Sequence, residues 1–184
     1  MIEIRRVTAR EWRRWRDVRL RMLRDDAAFF ASRYEHAVQE PDEYWKTWVA
    51  QADPGETKAL FCAEEGDHWL GVVGGFARVD RREVQLISMW VSSEARGRGV
   101  AKALIRALAE WSRERGSTAI FLFVQEANTP ARALYERAGF RPTGDRAPIG
   151  GGRRGFKLVL AAQVDELLLD SGDPSDAKRD RARA

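Results

Sequence analysis

Two spacings of apolar residues alternate along the chain, and each change of spacing marks the end of one element and the start of the next. Ile2-Glu3-Ile4 alternates with period two, as a strand does. Thr8-Ala9-Arg10-Glu11 has capping-box spacing and precedes Trp12, Trp15, Val18 and Met22 at helical intervals. Pro41 opens a further helix with the stripe Tyr44, Trp45, Trp48 and Val49, and residues 29–39 connect the two. These aromatics read as core. Residues 58–64 and 68–77 form a predicted hairpin turning at Glu65-Gly66-Asp67, and Asp80-Arg81 leads into a strand over 84–91. Helical spacing returns with Val100, Leu104, Leu108 and Trp111, while Arg106, Glu110 and Arg113 point elsewhere. Residues 120–124 then read as a buried strand. A short helix follows, with Thr129 as cap, Pro130 at its first position and Gly139 as the left-handed residue that ends it. A last strand covers 156–160.

Helices first, strands next and strand-helix alternation last predict an α+β domain around a mixed sheet. One domain over 1–162 suits a chain of 184 residues that is 44% hydrophobic, with 163–184 as a short helix and a charged tail. Residues 170–184 carry Ser, Gly, Pro and alternating charges with nothing large and apolar, so disorder is expected there. The glycine-rich loop 150–155, with Arg153 and Arg154, reads as a mobile hairpin connection.

Charge and cysteine content narrow the function classes. The net charge is +4, but 32 Lys and Arg are dispersed among 28 acids and no nucleic-acid-binding signature appears, so no nucleic-acid partner is expected. A single cysteine, Cys62, excludes an internal disulfide framework and a cysteine-rich metal site. No stretch has the length and apolarity of a signal peptide or membrane span, which makes the expected location cytoplasmic.

The chemistry concentrates in 84–108, where a strand runs into Arg96-Gly97-Arg98-Gly99-Val100-Ala101 and then into a helix. Glycines at such a junction let successive backbone N–H groups face one concavity, and the helix N-terminus adds positive potential. That is an anion cradle. It is neither of the two familiar nucleotide loops: no Gly-Lys-Ser/Thr follows, and the third glycine of the dinucleotide fingerprint is missing.

The residues do fit R-x-x-G-x-G/A through Arg96, Gly99 and Ala101. A second segment, Asn128 to Phe140, fits N-x-x-A-x-x-L-Y-x-x-x-G-F. With both motifs in order, the chain resembles the GNAT superfamily of acyl-CoA-dependent N-acetyltransferases, strongly over 84–140 and in outline over 2–160. The resemblance implies a mostly antiparallel mixed sheet with helices on both faces and two central strands splayed around acetyl-CoA. It places the pantetheine near Trp90 and Val91, the pyrophosphate on Arg96, Gly97, Arg98, Gly99, Val100 and Ala101, and the thiol end near Asn128 and Tyr135. No metal is implied, and the protein is expected to act as a monomer or homodimer.

The implied reaction is direct attack of a primary amine, of a small molecule or a peptide or protein, on the thioester. It needs a neutral amine, support for the oxyanion and a proton for the thiolate. Tyr135 is the expected general acid. Relatives often carry glutamate where Gln85 stands, and an amide accepts no proton at neutral pH. Gln85 is left to position water or the amine, with Glu83, Glu126, His36 or solvent as the base. Both histidines, His36 and His68, also read as solvent-facing polar groups, and Ser88 and Cys62 lack the surroundings of a nucleophile. The departure at Gln85 keeps open a CoA-binding regulatory module without turnover.

Overall fold

The computed structural model describes residues 1–30, 32–53, 55–150 and 153–169, and the predicted tail 170–184 lies outside them. Among the described residues seven strands form one sheet in the order β1-β2-β3-β4-β5-β7-β6. These are β1 (Glu3–Arg6), β2 (Lys58–Glu65), β3 (His68–Arg78), β4 (Glu83–Val91), β5 (Ala119–Gln125), β6 (Arg141–Gly150) and β7 (Arg153–Gln163). Every pairing is antiparallel except β4 with β5, giving the mixed sheet the pattern predicts.

The helices are α1 (Trp12–Asp25), α2 (Tyr34–Ala37), α3 (Asp42–Ala50), α4 (Val100–Glu114), α5 (Thr129–Arg137) and α6 (Val164–Leu169). They cover both faces and bury two separate cores. One core sets Val100, Leu104 and Leu108 of α4 against Phe61, Val84 and Ile120, with Val164 and Leu167 of α6 joining it. The other sets Trp15, Met22 and Leu23 of α1 and Trp45 of α3 against Leu60, Cys62 and Trp90. Alternation along β2 feeds Ala59, Phe61 and Ala63 to the first core and Leu60 and Cys62 to the second.

Four segments differ from the sequence reading. β6 was not expected, since Pro142, Gly144 and Pro148 weaken any strand pattern. It is the exposed edge of the sheet, where proline forfeits no ladder hydrogen bond, and its register against β7 slips twice. The connection 29–39 contains the short helix α2. Asn128, not Thr129, caps α5: its side-chain oxygen accepts the Ala131 N–H at 3.1 Å, which moves Pro130 to the second position. In the expected loop 150–155, Gly150 and Arg153 already pair as the ends of β6 and β7, while Gly151 and Gly152 lie outside the described residues.

Candidate active site on the two faces of strand β4

The site begins where two parallel strands part. β4 and β5 pair only through Glu83, Val84 and Gln85, opposite Ala119, Ile120 and Phe121. From Leu86 onward the edge of β4 that faces β5 has no strand on it, so its backbone polar groups need another partner. β4 is also bulged: Trp90 pairs with Val72 but Ile87 with Gly74, so Ser88 and Met89 together stand opposite Val73. Ser88 takes a positive φ of 53°, uncommon for a residue with a Cβ. The extra residue reverses the facing of all that follows. Val84 and Leu86 lie in the α4 core, whereas Trp90, of the same parity, lies in the α1 core.

A cleft of about 560 Å³ fills the gap beyond the split. Met89, Trp90 and Val91 form one wall, Asn128, Leu134 and Tyr135 the other, and the glycine loop with the start of α4 closes the end. Gly97 and Gly99 have φ of 78° and 79°, and a Cβ at either would meet nothing within 4 Å. Their glycines are thus required by backbone angle and leave the loop's surface open to a ligand. The N-terminal N–H groups of α4 face outward there, as at any helix start.

All the residues predicted to hold the cofactor line this cleft except Arg98. Arg98 turns away to Glu65 of the β2–β3 hairpin, 2.9 Å distant. Arg96 lines the cleft, but its guanidinium is engaged by the Val91 carbonyl at 3.2 Å and by Asp26 at 3.1 Å. With both side chains engaged, the groups this loop leaves open are its backbone N–H groups. Asn128 spends its side-chain oxygen on capping α5.

Tyr135 is buried in the cleft wall, edge-on to Phe140 at 5.7 Å, and burial pushes its phenol up so that it stays protonated. A phenol held this way is a proton donor. Cys62 is buried on the α1 side with its thiol pushed up to about 12 by burial, which suits packing and not nucleophilic attack.

Sequence reading missed the roof of the cleft. Asp26, at the end of α1, accepts the Trp90 indole N–H at 2.9 Å, and the Ala28 carbonyl accepts from the Gln125 amide at 2.9 Å. Residues 26–28 are thereby tied to both β4 and β5 across their gap, bringing Phe29 and Phe30 to the cleft. No motif marks a connecting loop that acts through its tertiary partners.

A second cavity, of about 730 Å³, lies on the opposite face of β4. Ile87 and Ser88 form its floor, so the bulge separates it from the cleft by one residue. Trp15 and Arg19 of α1, Arg33 and His36 around α2, and Glu40, Tyr44, Trp45 and Trp48 supply its walls. Of the aromatics read as core, Trp12, Trp15 and Trp45 are buried, with Trp15 stacked on Trp48 at 4.6 Å, whereas Tyr44 is exposed, and Trp15, Tyr44, Trp45 and Trp48 all line this space. Behind Trp48 stands the buried Lys58, its Nζ 4.6 Å over the ring and 2.7 Å from the Gln51 side-chain oxygen.

The base candidates separate by position. Gln85 lines neither cavity, although the two-residue period puts it on the same face as Ile87. Glu83 pairs with Arg78 at 3.7 Å, and Glu126 lines neither space. His36 borders the second cavity, and Glu40, which sequence reading passed over, borders it too. Among the described residues no group of three or more His, Cys, Asp and Glu is placed to hold a metal.

Known proteins share this fold. The rat protein N-acetyltransferase 8 is 37% identical over 114 residues, which is 60% of this chain and 47% of that protein. The chain spans about half the length of the curated relatives it matches. A GNAT-family acetyltransferase from Streptococcus pneumoniae superposes with a TM-score of 0.74 at 17% identity, over 89% of this chain and 99% of that one. YncA from Salmonella typhimurium, a putative acetyltransferase solved with acetyl-CoA, superposes with a TM-score of 0.72 at 15% identity, over 95% and 98%. The family model described as Acetyltransferase (GNAT) family matches residues 12–140, and the chain belongs to that family.

Proposed function

We propose that this protein transfers an acetyl group from acetyl-CoA to a primary amine, by direct attack and without an acyl-enzyme. The observation that carries this reading is the cleft opened by the parting of β4 and β5, with a glycine-rich helix start at one end and a buried tyrosine in its wall. Its residues suit acetyl-CoA as a substrate. The outward N–H groups at Gly97, Gly99 and the start of α4 match a pyrophosphate, and the unpaired edge of β4 matches the amides of the pantetheine arm.

Acetyl-CoA brings an activated thioester, whose carbonyl oxygen gains negative charge and whose sulfur departs as thiolate. The bulge at Ser88 and Met89 turns backbone out of the β3 ladder beside both cavities, where an N–H can support that oxygen. Tyr135 donates its proton to the departing sulfur, a role its protonated, buried phenol suits. The amine arrives from the face of Ile87 and Ser88. It gives up its proton on that side, where His36 and Glu40 border the space and Gln85 orients water from the adjoining strand position.

The acetyl-CoA chemistry calls for no metal. No helix among the described residues is long and apolar enough to cross a membrane. Among the finer expectations, a cytoplasmic location and a monomer or homodimer fit this reading. Thiol release from acetyl-CoA, followed across polyamines, amino acids, aminoglycosides and lysine peptides with enzyme-free controls, tests it. Turnover with any class is the expected result. Tight CoA binding with silence across the panel would instead support the regulatory module that the glutamine at position 85 leaves open.

A further inference from the structure

We propose that the aromatic cavity on the α1 face holds the acceptor, and that this acceptor is an amine which also carries a carboxylate on an apolar body. The proposal deepens the acetyltransferase reading and rests on it for the identity of the donor.

The first observation is a set of unmet donors. Trp15 Nε1, Trp45 Nε1 and Arg19 Nη1 are each buried without a hydrogen-bond acceptor among the described residues, and all three belong to residues that line this cavity. Buried polar groups are rarely left so. Around the same cavity the described lining offers one carboxylate, Glu40, against these indoles and this guanidinium, a balance that favours a ligand bringing acceptor oxygens of its own.

The second observation is charge. Among the described residues Arg19 has no carboxylate partner. Its contacts are the Ser32 hydroxyl at 3.4 Å and the Phe30 ring at 5.2 Å. Burial pushes its guanidinium down to about 10, so it remains a cation at neutral pH. A planar guanidinium matches a carboxylate with two parallel N–H bonds. Arg33 adds a second cation, and Lys58 stands behind Trp48. Glu40 is the one acidic side chain on the described lining, so the wall as a whole suits a molecule bearing both an ammonium and a carboxylate. A polyamine, with several cations and no anion, is poorly matched to it.

Shape and place complete the case. The Trp15–Trp48 stack and the edge-on Tyr44–Trp45 pair, 5.1 Å apart, give the cavity an aromatic, largely apolar lining for the ligand's body. An amine at the Ile87–Ser88 end would stand one residue from Met89 and the donor cleft.

Matched sets of probes test this on the full chain: phenylalanine, tryptophan and leucine, each beside its carboxamide and its decarboxylated amine. Binding is read by intrinsic tryptophan fluorescence with CoA present, and thiol release from acetyl-CoA is read separately. The acid of at least one set is expected to bind roughly tenfold or more tightly than its amide, the scale of one lost charge-assisted contact. R19Q should erase that preference while leaving CoA affinity unchanged. Because R19Q disturbs a packed position, R33Q on the exposed rim provides a second variant, expected to narrow the same ratio. Equal or reversed affinities in every set, or binding by none of the probes, would overturn the proposal. Acid-selective binding without thiol release would keep the anion site and refute the transferase reading. Thiol release that favours amides or polyamines would do the opposite.

Discussion

The cleft between β4 and β5 and the aromatic cavity on the α1 face meet at Ser88 and Met89, yet they are built in opposite ways. The cleft owes its opening and its free polar groups to backbone: a strand edge with no neighbouring strand, two glycines at φ near 80° and a helix start, all within the contiguous stretch around β4–α4. The cavity is made of large side chains gathered from α1, α2, α3 and β4. Backbone geometry suits a partner that is always the same. Side chains from scattered segments suit a partner that differs from one enzyme to the next.

That contrast can be broken most severely at a residue supporting the cleft alone. Phe140 is fully buried against Tyr135, and Phe140→Ala should cost about 3–5 kcal/mol of stability in urea unfolding. A loss under 1 kcal/mol would mean that the cleft wall is held from elsewhere. Next comes Tyr135→Phe, for which turnover should fall on the order of 10²-fold with every acceptor while CoA affinity stays level. An unchanged rate removes Tyr135 as the acid. R19Q, by contrast, should act only on acceptors bearing a carboxylate.

Gly99→Ala sharpens the claim that backbone angle makes the cradle. The added methyl meets nothing within 4 Å, so its cost is the left-handed conformation itself, about 1–2 kcal/mol, or roughly tenfold in CoA affinity by titration. No change in affinity would show that the loop binds nothing.

The smallest effect concerns how α1 is fastened. Glu11, just before α1, accepts two hydrogen bonds from Arg5 at 2.7 and 2.9 Å, and Glu64 on β2 accepts another from Arg5 at 2.6 Å. The bonds from Arg5 hold the Glu11 carboxyl at about 2, below its unfolded value near 4.5. A carboxyl depressed on folding stabilises above its unfolded pKa, and that contribution fades as pH falls from about 4.5 toward 2. Hydrogen exchange at α1 should accordingly rise over that window before exchange at α4 does. Simultaneous loss at both helices would show that the two faces melt as one.

How much of this could be read in the sequence follows the same division. The cleft was legible because its parts are local: Arg96 to Ala101 and Asn128 to Phe140 each carry their geometry in a short string. The pairing of Arg98 was not legible because its partner, Glu65, lies in a hairpin more than thirty positions away, and Asp26 was missed because its meaning lies in Trp90 and Arg96. Trp12 and Trp15 of α1 and Trp45 of α3 are buried as the stripes predict, whereas Trp48 is half-buried and Tyr44 exposed. Periodicity records which face is covered, and it cannot record that Trp15 and Trp45 line a cavity while their indole N–H groups stay buried without a partner. β6 escaped notice because an edge strand tolerates the prolines that would disqualify an inner one.

The central claim is that donor and acceptor occupy opposite faces of β4 at the same time. Initial rates measured over a matrix of acetyl-CoA and acceptor concentrations test it most directly. Intersecting double-reciprocal lines are predicted, as a ternary complex with direct attack requires. Parallel lines, the mark of an acyl-enzyme formed before the amine arrives, would contradict it.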